Sequence, residues 1–147
     1  MAAEYFGDLP NVSKAAQLVA WSAQSTDNQG TGVDMSLGDG NNCVGVLNVI
    51  SYDIASGNET YAITITECDT LSGSYTAVTG YDAGAFTSKT SAGSDPGTAY
   101  MQMIKFRRSK KFLRAELDVG GTSPAFTATV TVLERLKITG SGAGYQA

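Results

Sequence analysis

Histidine is absent from this chain of 147 residues, and much of the chemistry that proteins perform near neutral pH goes with it. Without imidazole there is no Ser-His-Asp or Cys-His arrangement and no general base of the commonest kind. Cysteine is scarce: Cys43 and Cys68 stand without CxxC spacing, too few for a structural zinc site of four Cys or His ligands. Each lies in or beside an apolar strand-like run and reads as a small buried hydrophobe, and a Cys43–Cys68 disulfide would need those strands to be neighbours. No P-loop, GxGxxG or HExxH motif occurs, so no catalytic set, metal or cofactor is expected. Charge is thin as well: 16 % of residues are charged, where about a quarter is usual. Ser, Thr, Asn and Gly must cover the surface, which suits a repeated protein assembly. No run approaches about 18 apolar residues, so no membrane span is expected. MAAEYFGDLP has neither a basic n-region nor an apolar h-region, so no secretory signal is expected and the sequons at Asn11 and Asn58 carry little weight.

What is present is a globular chain, 42 % hydrophobic, with its charge unevenly placed. Residues 1–100 hold only Lys14 and Lys89 against eleven acids, and residues 101–147 hold eight basic groups against three acids. The two halves either neutralise each other within one fold or pair head to tail between copies.

Strand signals dominate. Thr60 to Cys68 alternates, with Tyr61, Ile63 and Ile65 on one face. CVGVLNVISY, from Cys43, is mostly apolar and suits a strand covered on both faces. In later runs Tyr100, Gln102, Ile104 and Phe106 share a face opposite Met101, Met103 and Lys105. Leu113, Ala115, Leu117 and Val119 oppose Arg114, Glu116 and Asp118, and Phe126, Ala128, Val130 and Val132 alternate with threonines. Residues 120–124 read as a hairpin connection between the last two. Ser13 could cap a short helix over Lys14–Gln17, QLVAWSA reads as a first strand, and residues 24–42 as a long polar loop or extended arm. The expected fold is all-β: an antiparallel β-sandwich or jelly-roll-like domain over 43–138. It is preceded by an N-terminal arm and polar loop over 1–42 with one early strand, and followed by a flexible tail over 139–147.

Three groups of residues offer chemistry. Glu59, Glu67 and Asp69 cluster around one strand, and paired carboxylates hydrolyse glycosides when suitably spaced, although strand ends carry charge routinely. Asp34, Asp39, Asn41 and Asn42 carry oxygen ligands in a Gly-rich loop, but all four are turn formers and the spacing is not that of an EF-hand. KFRRSKKFLR, residues 105–114, gathers Lys105, Arg107, Arg108, Lys110, Lys111 and Arg114 around Phe106 and Phe112 at an expected hairpin tip. Basic and aromatic residues together suit single-stranded nucleic acid. The acidic remainder of the chain opposes that partner and favours an acidic protein surface. Aromatic side chains at Trp21, Tyr52, Tyr61, Tyr75, Tyr81 and Tyr100 would also serve a carbohydrate-binding sandwich.

The segment ETYAITITECDTLSGSYTAV (59–78), followed by KKFLRAELDVGGTSPAFTATVTVL (110–133), resembles small structural proteins encoded among the head genes of tailed bacteriophages. The matching positions include Lys111, Phe112, Leu113, Arg114 and Gly121-Thr122-Ser123-Pro124. The resemblance implies a virion component at the capsid surface, a decoration or cement protein. Its partner would be the major capsid protein and its state a homo-oligomer, a trimer by preference. Tail-tube, neck and tail-completion proteins are the alternative. On that expectation Tyr5, Phe6, Leu9 and Trp21 are apolar anchors, with Trp21 equally suited to the core, and the 105–111 cluster is the charged part of the interface.

Overall fold

The computed structural model describes residues 12–36, 41–80, 82, 84–87, 89–90 and 98–135. The described residues form strands β1 (Val12–Gln24), β2 (Asn28–Gln29), β3 (Val33–Asp34), β4 (Asn42–Tyr52), β5 (Thr60–Cys68), β6 (Thr76–Ala77), β7 (Lys89–Thr90), β8 (Tyr100–Arg107), β9 (Phe112–Gly120) and β10 (Phe126–Arg135). Two antiparallel sheets result. The first has the order β1-β10-β4-β8; the second has β2-β9-β5-β6, with β3 also on β9 and β7 also on β5. The fold is an all-β sandwich, as the alternation predicts.

The chain changes sheet at almost every long connection. The basic loop after β8 and the Gly-rich turn after β9 therefore both cross between sheets, and neither is the hairpin expected from sequence. Alternation explains the difference. Leu113, Ala115 and Leu117 on β9 and Phe126, Ala128, Val130 and Val132 on β10 are all buried, so the strands face each other across one core instead of lying side by side. The helix expected over Lys14–Gln17 is also absent. Those residues belong to β1 and pair with β10, Ala15 opposite Leu133 and Gln17 opposite Thr131, and this ladder outweighs a marginal local helix.

Residues 28–36, expected in a polar loop, run along β9. Gly30 N–H donates to Ala115 O at 2.9 Å, Met35 N–H donates to Lys111 O at 2.8 Å, and the Met35 side chain is fully buried. Nor is β4 covered on both faces. Cys43, Leu47, Val49 and Tyr52 point inward, Val44 and Val46 are half-buried, and Asn48 and Ile50 are exposed. Ile50 is the extra residue where the β4–β10 register shifts, between the pairs Val49–Ala128 and Ser51–Thr127. Gly45 lets the sheets approach: a Cβ there would lie 2.8 Å from Ile65 Cδ1 of the opposite sheet. At one end of the core a chain of rings runs from Trp21 to Phe126, stacks on Tyr61 at 5.0 Å, and continues edge-on through Tyr52 to Tyr100.

Candidate functional site

The strand register places the polar side chains at the two ends of the sandwich. The upper end is an interlock of two turns. Tyr61 Oη donates to Asp53 O at 2.7 Å and accepts from Ala125 N–H at 3.2 Å, while Asn58 and Thr122 exchange hydrogen bonds between Oδ1 and N–H and between Nδ2 and Oγ1. Glu59, buried, accepts from the backbone N–H of Ser56 and of Asn58. Burial raises the pKa of Tyr61 above the usual phenol value, holding the hydroxyl as a donor.

The lower end gathers the basic loop. Arg108 Nε and Nη2 both reach Glu134 Oε1, at 3.0 and 2.6 Å, Nη1 donates to Lys110 O, and Nη2 also donates to Met35 O. Glu134 is fully buried. Glu67, also buried, accepts from Ser109 N–H, Ser109 Oγ and Lys110 N–H. These two carboxylates fasten the crossover loop to both sheets: Glu134 belongs to the first and Glu67 to the second. Cys43, opposite Glu134, has its thiol pushed up to about 12, chiefly by burial and then by the carboxylate, which keeps it protonated. Cys43 and Cys68 lie in opposite sheets, and both are free.

Several sequence candidates are thereby given structural work. Glu59 and Glu67 stand at opposite ends of β5, roughly 27 Å apart at about 3.4 Å per residue, so they do not converge on one bond. Asp34 accepts from Ser36 N–H at 2.8 Å and lies 3.4 Å from Lys111 Nζ; the Ser36 hydrogen bonds and then that ammonium lower its pKa. Asn42 Oδ1 accepts from Arg107 Nε, Asn41 O accepts from Arg108 N–H, and Asp39 lies outside the described residues. Among the described residues no three His, Cys, Asp or Glu side chains converge as metal ligands. No described helix is long and apolar enough to cross a membrane.

Of the expected anchors, Tyr5, Phe6 and Leu9 lie outside the described residues. Trp21 takes its core role: it is 3 % exposed and donates Nε1–H to Asn28 Oδ1. Phe106 is buried as well, so it offers no stacking platform beside the basic residues. Tyr52 and Tyr61 are buried and the Arg114 guanidinium sits 4.0 Å over Tyr75, leaving few rings for a sugar; Tyr81 lies outside the described residues. Within the basic cluster, Arg108 is consumed by Glu134, while Lys105, Arg107 and Lys111 are exposed. Lys110 Nζ reaches Thr76 Oγ1, and Lys111 also sits over the Phe112 ring. A cleft of about 800 Å³ opens between β4 and β8, lined among the described residues by Asn42, Cys43, Val44, Gly80, Lys105, Phe106 and Arg107.

Sequence reading did not single out the outer face of the first sheet. Ile50 on β4 and Met101 and Met103 on β8 are 56 %, 64 % and 63 % exposed. The signal was available in the alternation, since methionine recurs at the outward positions of β8 where β10 places threonine. No protein-family model matches the chain, and no curated protein matches it in sequence.

Proposed function

We propose that this chain is a structural virion protein that binds and stabilises the outer surface of a tailed-phage capsid, with the major capsid protein as its partner. The observation that carries the reading is a convergence. Val12 pairs with Arg135 at the lower end of the sandwich, so both ends of the described chain lie at the end that also carries the exposed Lys105, Arg107 and Lys111. The buried carboxylates near these groups hold loops, and the exposed cations offer positive charge to a partner even though Lys111 also lies against Asp34 and Arg107 donates to Asn42. Each contact of this kind is modest, since exposed ion pairs are worth about 0–1 kcal/mol. Contacts made together on a repeated surface multiply through effective concentration, more so in a trimer. The resemblance of residues 59–78 and 110–133 to phage head proteins supports the same reading.

Co-sedimentation of the purified protein with separated phage heads and tails, both stripped of it, tests this. Saturable binding to heads with increased resistance of the heads to heat is expected. Binding to tails alone, or assembly into rings without either, would move the protein to the tail.

A further inference from the structure

The outer face of the first sheet is apolar at its centre and basic at its lower end. Cross-strand pairing sets Asn48 beside Met101, Val46 beside Met103, Val44 beside Lys105 and Asn42 beside Arg107. The strands of this sheet contain one carboxylate, Glu134, and it is fully buried. At the rim, Asp82 accepts from the backbone N–H of Lys105 at 2.7 Å, and Asn42 Oδ1 holds Arg107 Nε at 3.2 Å. One carboxylate against two exposed cations leaves the cleft between β4 and β8 positive. An exposed apolar patch that runs into such a cleft suits an occupant that is both apolar and acidic.

We infer that residues 1–11 of the same chain are that occupant, crossing the lower end of the first sheet to set Asp8 and Glu4 against Lys105 and Arg107 and apolar side chains over Val44, Val46 and Met103. Composition selects the segment. Residues 1–11 carry Glu4 and Asp8, no Lys or Arg, and the apolar Tyr5, Phe6 and Leu9. Residues 136–147, which follow Arg135 at the same end, carry Lys137 and no acid; residues 37–40 and 91–97 hold one carboxylate each and no aromatic ring. Reach allows it. Val12 pairs with Arg135, Glu134 with Cys43 and Cys43 with Phe106, so β1 starts at the level of the cleft. Two strand spacings of about 4.8 Å separate β1 from β4, and about three extended residues cross them. Asp8 then arrives at the cleft, with Phe6 and Tyr5 beyond it toward Met103.

The tether decides between this segment and a second copy. A second copy also offers carboxylates, since its second sheet carries Asp27, Glu116 and Asp118, so charge alone admits it. A segment joined to β1 meets the cleft at an effective concentration of about millimolar across a short link, whereas a second copy must first give up free translation and rotation. The same three acids turn Glu4 and Asp8 away from the second sheet. The inference does not rest on the capsid reading. Under that reading, an acidic shell surface competes for Lys105 and Arg107, and displacement presents Tyr5, Phe6 and Leu9 to the shell.

Peroxide footprinting of the isolated protein tests this, because a covered methionine thioether oxidises more slowly than an open one. Oxidation is read site by site by mass spectrometry in wild type, in a chain lacking residues 1–11, which keeps β1 whole, and in Glu4→Lys/Asp8→Lys. Both changes should speed oxidation of Met103 at least about tenfold, the factor given by a docking equilibrium of about 1.4 kcal/mol. Adding Lys105→Glu/Arg107→Glu to Glu4→Lys/Asp8→Lys should restore the wild-type rate. Buried Met35 should keep its wild-type rate throughout, which reports an intact fold. Equal Met103 rates in wild type and the shortened chain would overturn the inference, and so would a charge-reversed chain that stays protected. Protection that disappears on dilution would assign the cover to a second copy and overturn it as well.

Discussion

Tyr61 shows how one residue serves core and turn together. Its ring stacks on Phe126 while its hydroxyl joins Asp53 to Ala125. Tyr61→Phe keeps the ring and strands both backbone partners, so a loss of about 1–3 kcal/mol is expected in urea titration. The pH dependence follows in sign. The folded-state pKa is raised above 10.0, so the stability given by the neutral hydroxyl is full below pH 10 and is lost as pH rises through the raised value. The gap between wild type and Tyr61→Phe should therefore narrow above pH 10. Glu67 permits a sharper contrast. Glu67→Ala leaves Ser109 N–H and Lys110 N–H without their acceptor and should cost at least about 2 kcal/mol. Glu67→Gln should cost far less, because one amide oxygen can accept both backbone donors while the amide nitrogen donates to Ser109 Oγ. Equal losses in the two variants would show that the negative charge itself, and not the acceptor geometry, holds the loop.

At the scale of elements, the turn over 120–124 accounts for its own sequence. Gly121 has φ +97°, and a Cβ there would lie 2.5 Å from Asn58 O and 2.6 Å from Glu59 Cα. Both obstacles are backbone and cannot swing away, so Gly121→Ala should cost more than about 2 kcal/mol by thermal or urea unfolding, with the loss confined to stability. The inward rows of β5, β8, β9 and β10 were legible because period-two alternation follows from strand geometry alone. Which strands pair was not legible. Short connections between alternating strands look alike whether the next strand lies alongside or across the core, so the turns after β8 and β9 read as hairpins. Helix-forming alanines hid the start of β1, and the polar composition of residues 24–36 hid Met35, whose burial depends on β9 passing nearby. Carboxylate roles were half legible: the position of Glu67 on the inward row of β5 forecast its burial, but its partners come from a loop more than forty residues later.

For the whole molecule, charge differs between the two faces, although the basic half of the chain contributes strands to both sheets. Aside from buried Glu134, the strands of the first sheet are built without acids, whereas β9 carries Glu116 and Asp118 on the second, with Asp27 beside them in the turn before β2. Both ends of the described chain also sit at one end of the sandwich, and this separates the fold from the contribution of the terminal segment. Removing residues 1–11 leaves β1 whole. Removing residues 1–16 also takes Val12–Ala16, which pair with Val132–Arg135 on β10 and include Lys14, whose ammonium bonds Asp34 O. β1 is an edge strand, so its lower half supports β10 from one side only. The shorter deletion should keep wild-type cooperativity and lose only the small stability of the docked segment, while weakening binding to heads. The longer one should lower the midpoint further, because β10 then faces water along a stretch it now shares with β1. Equal midpoints for the two deletions would mean that the first turn of the β1 ladder adds nothing to the fold. Equal head binding by the shorter deletion and the full chain would mean that the docking energy resides in the sandwich face and basic loop, with none in the segment that carries Tyr5, Phe6 and Leu9.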